Sequence, residues 1–269
     1  MSRPGTARLV RSGGTLAAAI PIFPRRSDES YGRRVTPSSY LLCGTPRTGS
    51  TFLCSLLSST GVAGHPESYF REPDEPWWAE RLGVPGADFP RFVAAVSAAG
   101  RTGNGVFAAR VMWGSIEHVV GRLPAAASDL AALERALGPL RLVHLRRADA
   151  VAQAVSWTRA EQTGYWQQRD ERRAPPRLDL DRIDATVRTI RAHDQAWSDW
   201  FDRQGAVPLR VAYEQLVRDP GATVRRILAH LGVDAPPGWQ PRSPHEKQAD
   251  GLNAAWARAY RERAGDRPA

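Results

Sequence analysis

Residues Tyr40–Thr51 read YLLCGTPRTGST, and the fold turns on how they are read. The apolar run up to Cys43 predicts a buried strand, and TFLCSLLSST from Thr51 carries apolar positions at helical spacing. A P-loop lies between such elements and reads Gly, four residues, Gly, Lys, then Ser or Thr. Gly44 and Gly49 keep that spacing, but Ser50 stands at the lysine position. In P-loop nucleoside triphosphatases the lysine reaches the β- and γ-phosphates, and Mg²⁺ is held by the Ser/Thr and a strand-end Asp. The other predicted strand ends here, ARVMW and HLRR, carry no Asp. Backbone amides at a helix N-terminus still converge on an anion, and the helix dipole favours it. Arg47 adds a planar fork of donors, and Ser50 and Thr51 add hydroxyls. The loop Pro46, Arg47, Thr48, Gly49, Ser50, Thr51 therefore suits an anionic donor without a γ-phosphate and without a metal.

Outward from this loop the chain alternates. DFPRFVAAVSAAG reads as a helix, GVFAARVMW as a buried strand, and SDLAALERALG as a helix capped by Ser128 and Gly138. LRLVHLR is a third strand ending at Arg146 and Arg147. A long helix over Asp149–Trp166, a polar break, and a second long helix over Asp181–Gln204 follow. VPLRV is a fourth strand, DPGATVRRILAHLG a helix with Pro220 at its first position, and GLNAAWARAYRERAG a last amphipathic helix. Strands alternating with helices predict an α/β fold: a P-loop-like three-layer α/β/α domain with a central parallel sheet, and ligands at the carboxyl ends of the strands.

Charge divides the chain. Of the net +9, residues 1–34 carry +5, from seven Arg against two acids, leaving +4 for the rest. The composition of residues 1–35 predicts a disordered basic tail, and residues 36–269 a single folded domain. A mildly basic domain fits small polyanionic ligands, and no helix-turn-helix, zinc or aromatic RNA-binding pattern accompanies it, so no nucleic-acid partner is expected. Cys43 and Cys54 are too few for a disulfide framework or zinc site and read as buried thiols in a reducing compartment. TLAAAIPIF is too short to span a membrane, and the expected location is cytoplasmic.

A second stretch, HLRRADAVAQAVSW, places Arg147 at a strand end and Ser156 about two turns into the next helix. Together PRTGST and this stretch resemble the 5′-phosphosulfate and 3′-phosphate motifs of sulfotransferases that use 3′-phosphoadenosine 5′-phosphosulfate (PAPS). SYLLCGTPRTGSTFLCSLLSSTGVAGHPESYF, NGVFAARVMW, VHLRRADAVAQAVSWTRAEQTGYW and EKQAD…WARAYRERA extend the resemblance over most of Ser39–Ala264, to the bacterial trehalose 2-sulfotransferase-like family. The resemblance implies PAPS as donor, 3′,5′-ADP as product, no metal, and a small carbohydrate acceptor. It also implies Trp166 near the adenine and Lys247 closing over the nucleotide, and it is compatible with a homodimer.

Sulfuryl transfer asks the protein for alignment, charge stabilisation and a base for the acceptor hydroxyl. In the trehalose enzyme's motif the base is a Glu two residues after a Pro. HPESYF has Ser68 at that position, Glu67 one residue earlier, and His65 before the Pro. Glu67 is the base candidate and His65 the secondary one. Arg110 matches a basic position near the transferring group, and Trp77 and Trp78 are candidates for stacking on sugar. Two other readings stand beside this one: a P-loop kinase-type phosphotransferase, which the missing lysine and Asp oppose, and a basic nucleic-acid-binding protein, which the charge distribution opposes.

Overall fold

A computed structural model of the chain describes residues 39–84, 88–166, 174–242 and 251–265. The expected N-terminal tail and Lys247 lie outside the described residues. Four strands, β1 (Ser39–Gly44), β2 (Phe107–Met112), β3 (Leu140–Arg146) and β4 (Leu209–Ala212), form one parallel sheet in the order β2-β1-β3-β4. β1 is central, with Leu42 in register with Arg110 on one side and Val143 on the other. Side chains alternate across a strand, so a sheet covered on both faces reads as continuously apolar. Leu41, Cys43, Phe107, Ala109, Val111 and Leu142 face one core, and Tyr40, Leu42, Ala108, Val143, Leu145 and Val211 face the other.

Ten α-helices occupy the described residues: α1 (Ser50–Ser59), α2 (Glu75–Arg81), α3 (Phe89–Ala99), α4 (Trp113–Val120), α5 (Asp129–Leu137), α6 (Ala150–Thr163), α7 (Leu180–Arg203), α8 (Tyr213–Arg218), α9 (Pro220–Leu231) and α10 (Gly251–Gly265). α1 and α9 cover the Tyr40/Leu42 face. Helices α2 to α5, with the C-terminal half of α7, cover the other face. The result is the three-layer arrangement that the alternation predicts. Several helix starts follow from local chemistry: Asp88, Ser128, Asp149, Asp179 and Asp219 each accept a backbone N–H from three residues on.

Some boundaries moved. The helix expected to reach Trp166 ends at Thr163, because Gly164 turns left-handed at φ 67°. Short helices α2, α4 and α8 were not anticipated; at six to eight residues they fall below what helical periodicity can reveal. α7 is unusually long, at 24 residues. Its first half packs Ile183, Val187 and Ile190 against α6 and α10, and its second half lays Trp197, Trp200 and Phe201 on the sheet. It therefore runs from the C-terminal helix to the carboxyl end of β1. No helix among the described residues is long and apolar enough to cross a membrane.

Candidate active site

The loop between β1 and α1 lies at the carboxyl edge of the sheet, where ligands of open parallel sheets bind. Its backbone is unusual. Arg47 has φ 67° and is the only described non-glycine residue with positive φ; Gly49, the N-cap of α1, has φ 82°. No side chain caps α1, and its first turn contains no acid. Its leading amides therefore face the loop mouth without a side-chain acceptor, as an anion site at a helix N-terminus requires.

Arg47 reaches across to the second motif. Its Nε donates to Ser156 Oγ at 3.0 Å, and its Nη1 donates to the Trp166 carbonyl at 2.6 Å. Arg147 follows β3 directly and approaches the Arg47 carbonyl at 3.5 Å. Its guanidinium lies 4.5 Å from the ring centre of Tyr213, and its buried Nε has no hydrogen-bond partner among the described residues. Arg47, Arg147 and Ser156, separated by up to 109 residues in sequence, thus share one basic basin beside the loop. Arg147 brings a positive charge to that basin, as a phosphate ligand requires. Trp166 takes part through its backbone, while its side chain is 39% exposed.

On the other side of α1 stands Arg110. Its Nη1 donates to Thr51 Oγ1 and its Nε to Ser68 Oγ, each at 2.8 Å. A cation is thereby fixed beside the first turn of α1. The HPESYF segment reaches this point by bending at Pro66, where the Glu67 amide donates to the His65 carbonyl at 2.8 Å. It then bridges β2: the Arg110 amide donates to the Glu67 carbonyl at 2.9 Å, pairing Glu67 with Ala109 in parallel sense. Parallel pairing sets Glu67 on the side of Ala109 and Ser68 on the side of Arg110. Burial raises the Glu67 carboxyl above the ordinary carboxylate range, and the Arg110 charge lowers it by less. Burial holds the His65 imidazole below its usual value. Trp78 is buried in the core at 8% exposure, edge-on to Trp77 at 4.6 Å. That pair packs against the apolar cluster, and Trp78 has no face to offer a sugar.

The sequence reading did not single out four side chains that support the loop. Thr45 Oγ1 donates to Asp194 of α7 at 3.0 Å, and Asp194 also accepts from Arg146 Nε at 3.2 Å. Trp197 Nε1 donates to the Gly44 carbonyl at 3.0 Å, and Gln153 of α6 donates to the Pro46 carbonyl at 2.8 Å. Tyr213, just after β4, packs against Gly49: a Cβ on that glycine would come within 2.7 Å of the ring. Asp194 did leave a signal, since it sits in the apolar row Val187, Ile190, Trp197, Phe201. A carboxylate there must be buried and partnered. Gln153 and Tyr213 leave no comparable mark in sequence.

The profile of the Stf0 sulphotransferase family matches residues 39–263, and the chain belongs to that family. A trehalose 2-sulfotransferase from Mycolicibacterium smegmatis is 32% identical over 257 residues, covering 84% of this chain and 95% of that protein. A trehalose 2-sulfotransferase from Mycobacterium tuberculosis is 31% identical over 261 residues, covering 85% and 96%. Among solved structures, a sulfotransferase from Alicyclobacillus acidocaldarius superposes with a TM-score of 0.44 at 19% identity, covering 86% of this chain and 96% of its own.

Proposed function

We propose that this sulfotransferase moves the sulfuryl group of PAPS to a hydroxyl of a carbohydrate related to trehalose, in line and without a metal. One contact supports the donor assignment most: Arg47 Nε on Ser156 Oγ at 3.0 Å joins the two halves of the sequence signature into one basin. The loop amides and the N-terminus of α1 receive the 5′-phosphosulfate, while Arg147 and Ser156 receive the 3′-phosphate. A ligand with phosphate at both ends matches such a pair of cradles, and ATP does not. The sugar acceptor is supported by the names of the two relatives, which align over nearly their whole length.

In the transfer, the acceptor oxygen forms a bond to sulfur as the bond from sulfur to the bridging oxygen breaks. The electron pair stays on the 5′-phosphate of departing 3′,5′-ADP. Arg110, held by Thr51 and Ser68, offsets charge that builds on that oxygen. Glu67 takes the acceptor proton, and its raised pKa brings it nearer the range where a base works at neutral pH. Ser68 replaces the carboxylate that the family places at that position, and its hydroxyl is engaged by Arg110; Glu67 lies on the Ala109 side of the bridge, but its carboxyl is close enough to feel the Arg110 charge. The test is mass spectrometry of PAPS reactions against a panel of sugars and glycolipid precursors, with and without EDTA. A sulfated carbohydrate formed in EDTA is the expected product. Activity lost on chelation and restored by Mg²⁺ would favour a kinase-like phosphotransferase instead.

A further inference from the structure

The donor loop holds a backbone that its own sequence does not favour. Arg47 sits in the left-handed region, the only described non-glycine residue to do so. Such a conformation persists only where the surroundings over-determine it. Three consecutive residues before Arg47 are each gripped by a buried side chain from outside the loop. Trp197 holds the Gly44 carbonyl, Asp194 holds the Thr45 hydroxyl, and Gln153 holds the Pro46 carbonyl. All three gripping residues are at most 7% exposed, and Thr45 is fully buried. Thr45 passes the constraint on, because its carbonyl accepts from Thr48 Oγ1 at 2.9 Å. Two of the grips, Asp194 and Trp197, lie about one turn apart on α7, so that helix grips adjacent loop residues.

Asp194 is the member whose chemistry the fold itself does not demand. A carboxylate at 7% exposure costs free energy unless it is fully partnered. An apolar residue would continue the row Val187, Ile190, Trp197, Phe201. The partners that Asp194 has instead are the first loop hydroxyl and Arg146, the residue that ends β3 beside Arg147. We infer that Asp194, acting through Thr45, is a positioning residue that presets the loop for the 5′ end of the donor. The inference rests on the PAPS reading and adds to it a residue that touches no substrate.

A loop that is not preset binds with an affinity reduced by the fraction of time it spends in the competent shape. That penalty falls only on ligands that use the loop. 3′,5′-ADP uses it directly through its 5′-phosphate; 3′-AMP lacks that phosphate and meets the loop only indirectly, through the contacts of Arg47 with Ser156 and Arg147. Calorimetry with both nucleotides on wild type, Thr45→Val, Thr45→Ser and Asp194→Asn separates the cases. Thr45→Val removes the hydroxyl at nearly constant volume and leaves Asp194 paired with Arg146. It is expected to weaken 3′,5′-ADP about tenfold, a competent fraction near one-tenth, with a clearly smaller loss for 3′-AMP. Asp194→Asn should show the same selective loss, since its amide cannot accept from both partners, and Thr45→Ser should retain wild-type discrimination. The inference is overturned if Thr45→Val binds 3′,5′-ADP like wild type, or loses both nucleotides equally. If the wild type itself does not prefer 3′,5′-ADP over 3′-AMP, the donor assignment fails, and the inference with it.

Discussion

Replacing Gly49 by Ala should damage both halves of the donor site through one methyl group. Two costs add. Gly49 has φ 82°, and an L-residue in the left-handed region costs about 1–2 kcal/mol. The added Cβ would lie 2.7 Å from Tyr213 Cδ2 and 2.9 Å from Cε2, closer than carbon atoms approach. Relieving that overlap in a packed site costs about 1–3 kcal/mol. The expected destabilisation is therefore about 2–5 kcal/mol, read as a shift in urea midpoint at constant m-value. The ring that must yield also lies 4.5 Å from the Arg147 guanidinium. Affinity for 5′-AMP and for 3′-AMP should both fall, although the methyl group sits only on the 5′ side. Gly49→Ala combined with Tyr213→Leu should recover the overlap cost but not the backbone cost, a measurable non-additivity. A Gly49→Ala protein within about 0.5 kcal/mol of wild type, with 3′-AMP affinity intact, would refute the reasoning that Tyr213 couples the two cradles.

Glu67→Gln should lower kcat about 10²–10⁴-fold with 3′,5′-ADP affinity unchanged, and near-full turnover would remove Glu67 as base. In the wild type, the acid limb of kcat/KM should lie above the ordinary carboxylate range, because burial raises the Glu67 pKa. His144 on β3 is fully buried beside Trp197 and Phe201, and neither ring nitrogen has a hydrogen-bond partner among the described residues. Burial lowers its pKa from 6.5 to about 3, so the unfolded chain takes up a proton that the folded chain refuses. Its neutral form is no burden above pH 6.5, and stability is lost as pH falls from there toward 3. His144→Leu should flatten that decline by about 1.4 kcal/mol per pH unit, as seen in urea titrations at several pH values; an unchanged slope would mean that the ring finds a partner on protonation.

The sheet and most of its helices were legible in the sequence because each has a local signature. SYLLC is apolar on both faces, as a strand covered on two sides must be, and LRLVHLR keeps Leu142, Val143 and Leu145 buried between its exposed arginines. Asp219 followed by Pro220 marks a helix start by chemistry that does not depend on the rest of the fold. That Arg47, Arg147 and Ser156 come together was legible for a related reason: they sit at fixed offsets from strand ends, and the topology carries such positions to one edge. The residues that support them were not. Gln153, Trp197 and Tyr213 contact the loop from 107 to 164 residues away, and nothing local distinguishes them from ordinary helix residues. HPESYF shows the same limit in reverse. The sequence marks the segment by its residue types, but which of Glu67 and Ser68 meets Arg110 depends on a bridge to β2 that no spacing rule supplies.

The central claim is that one basin recognises a nucleotide phosphorylated at both the 3′ and 5′ ends. Titration calorimetry of the wild type and Arg147→Ala with 3′,5′-ADP and 5′-AMP tests it directly. The wild type should bind 3′,5′-ADP about ten- to 150-fold more tightly than 5′-AMP, since an additional charge-assisted phosphate contact contributes about 1.5–3 kcal/mol. Arg147→Ala should erase most of that difference while leaving 5′-AMP binding in place. Equal affinity of the wild type for the two nucleotides would contradict the claim.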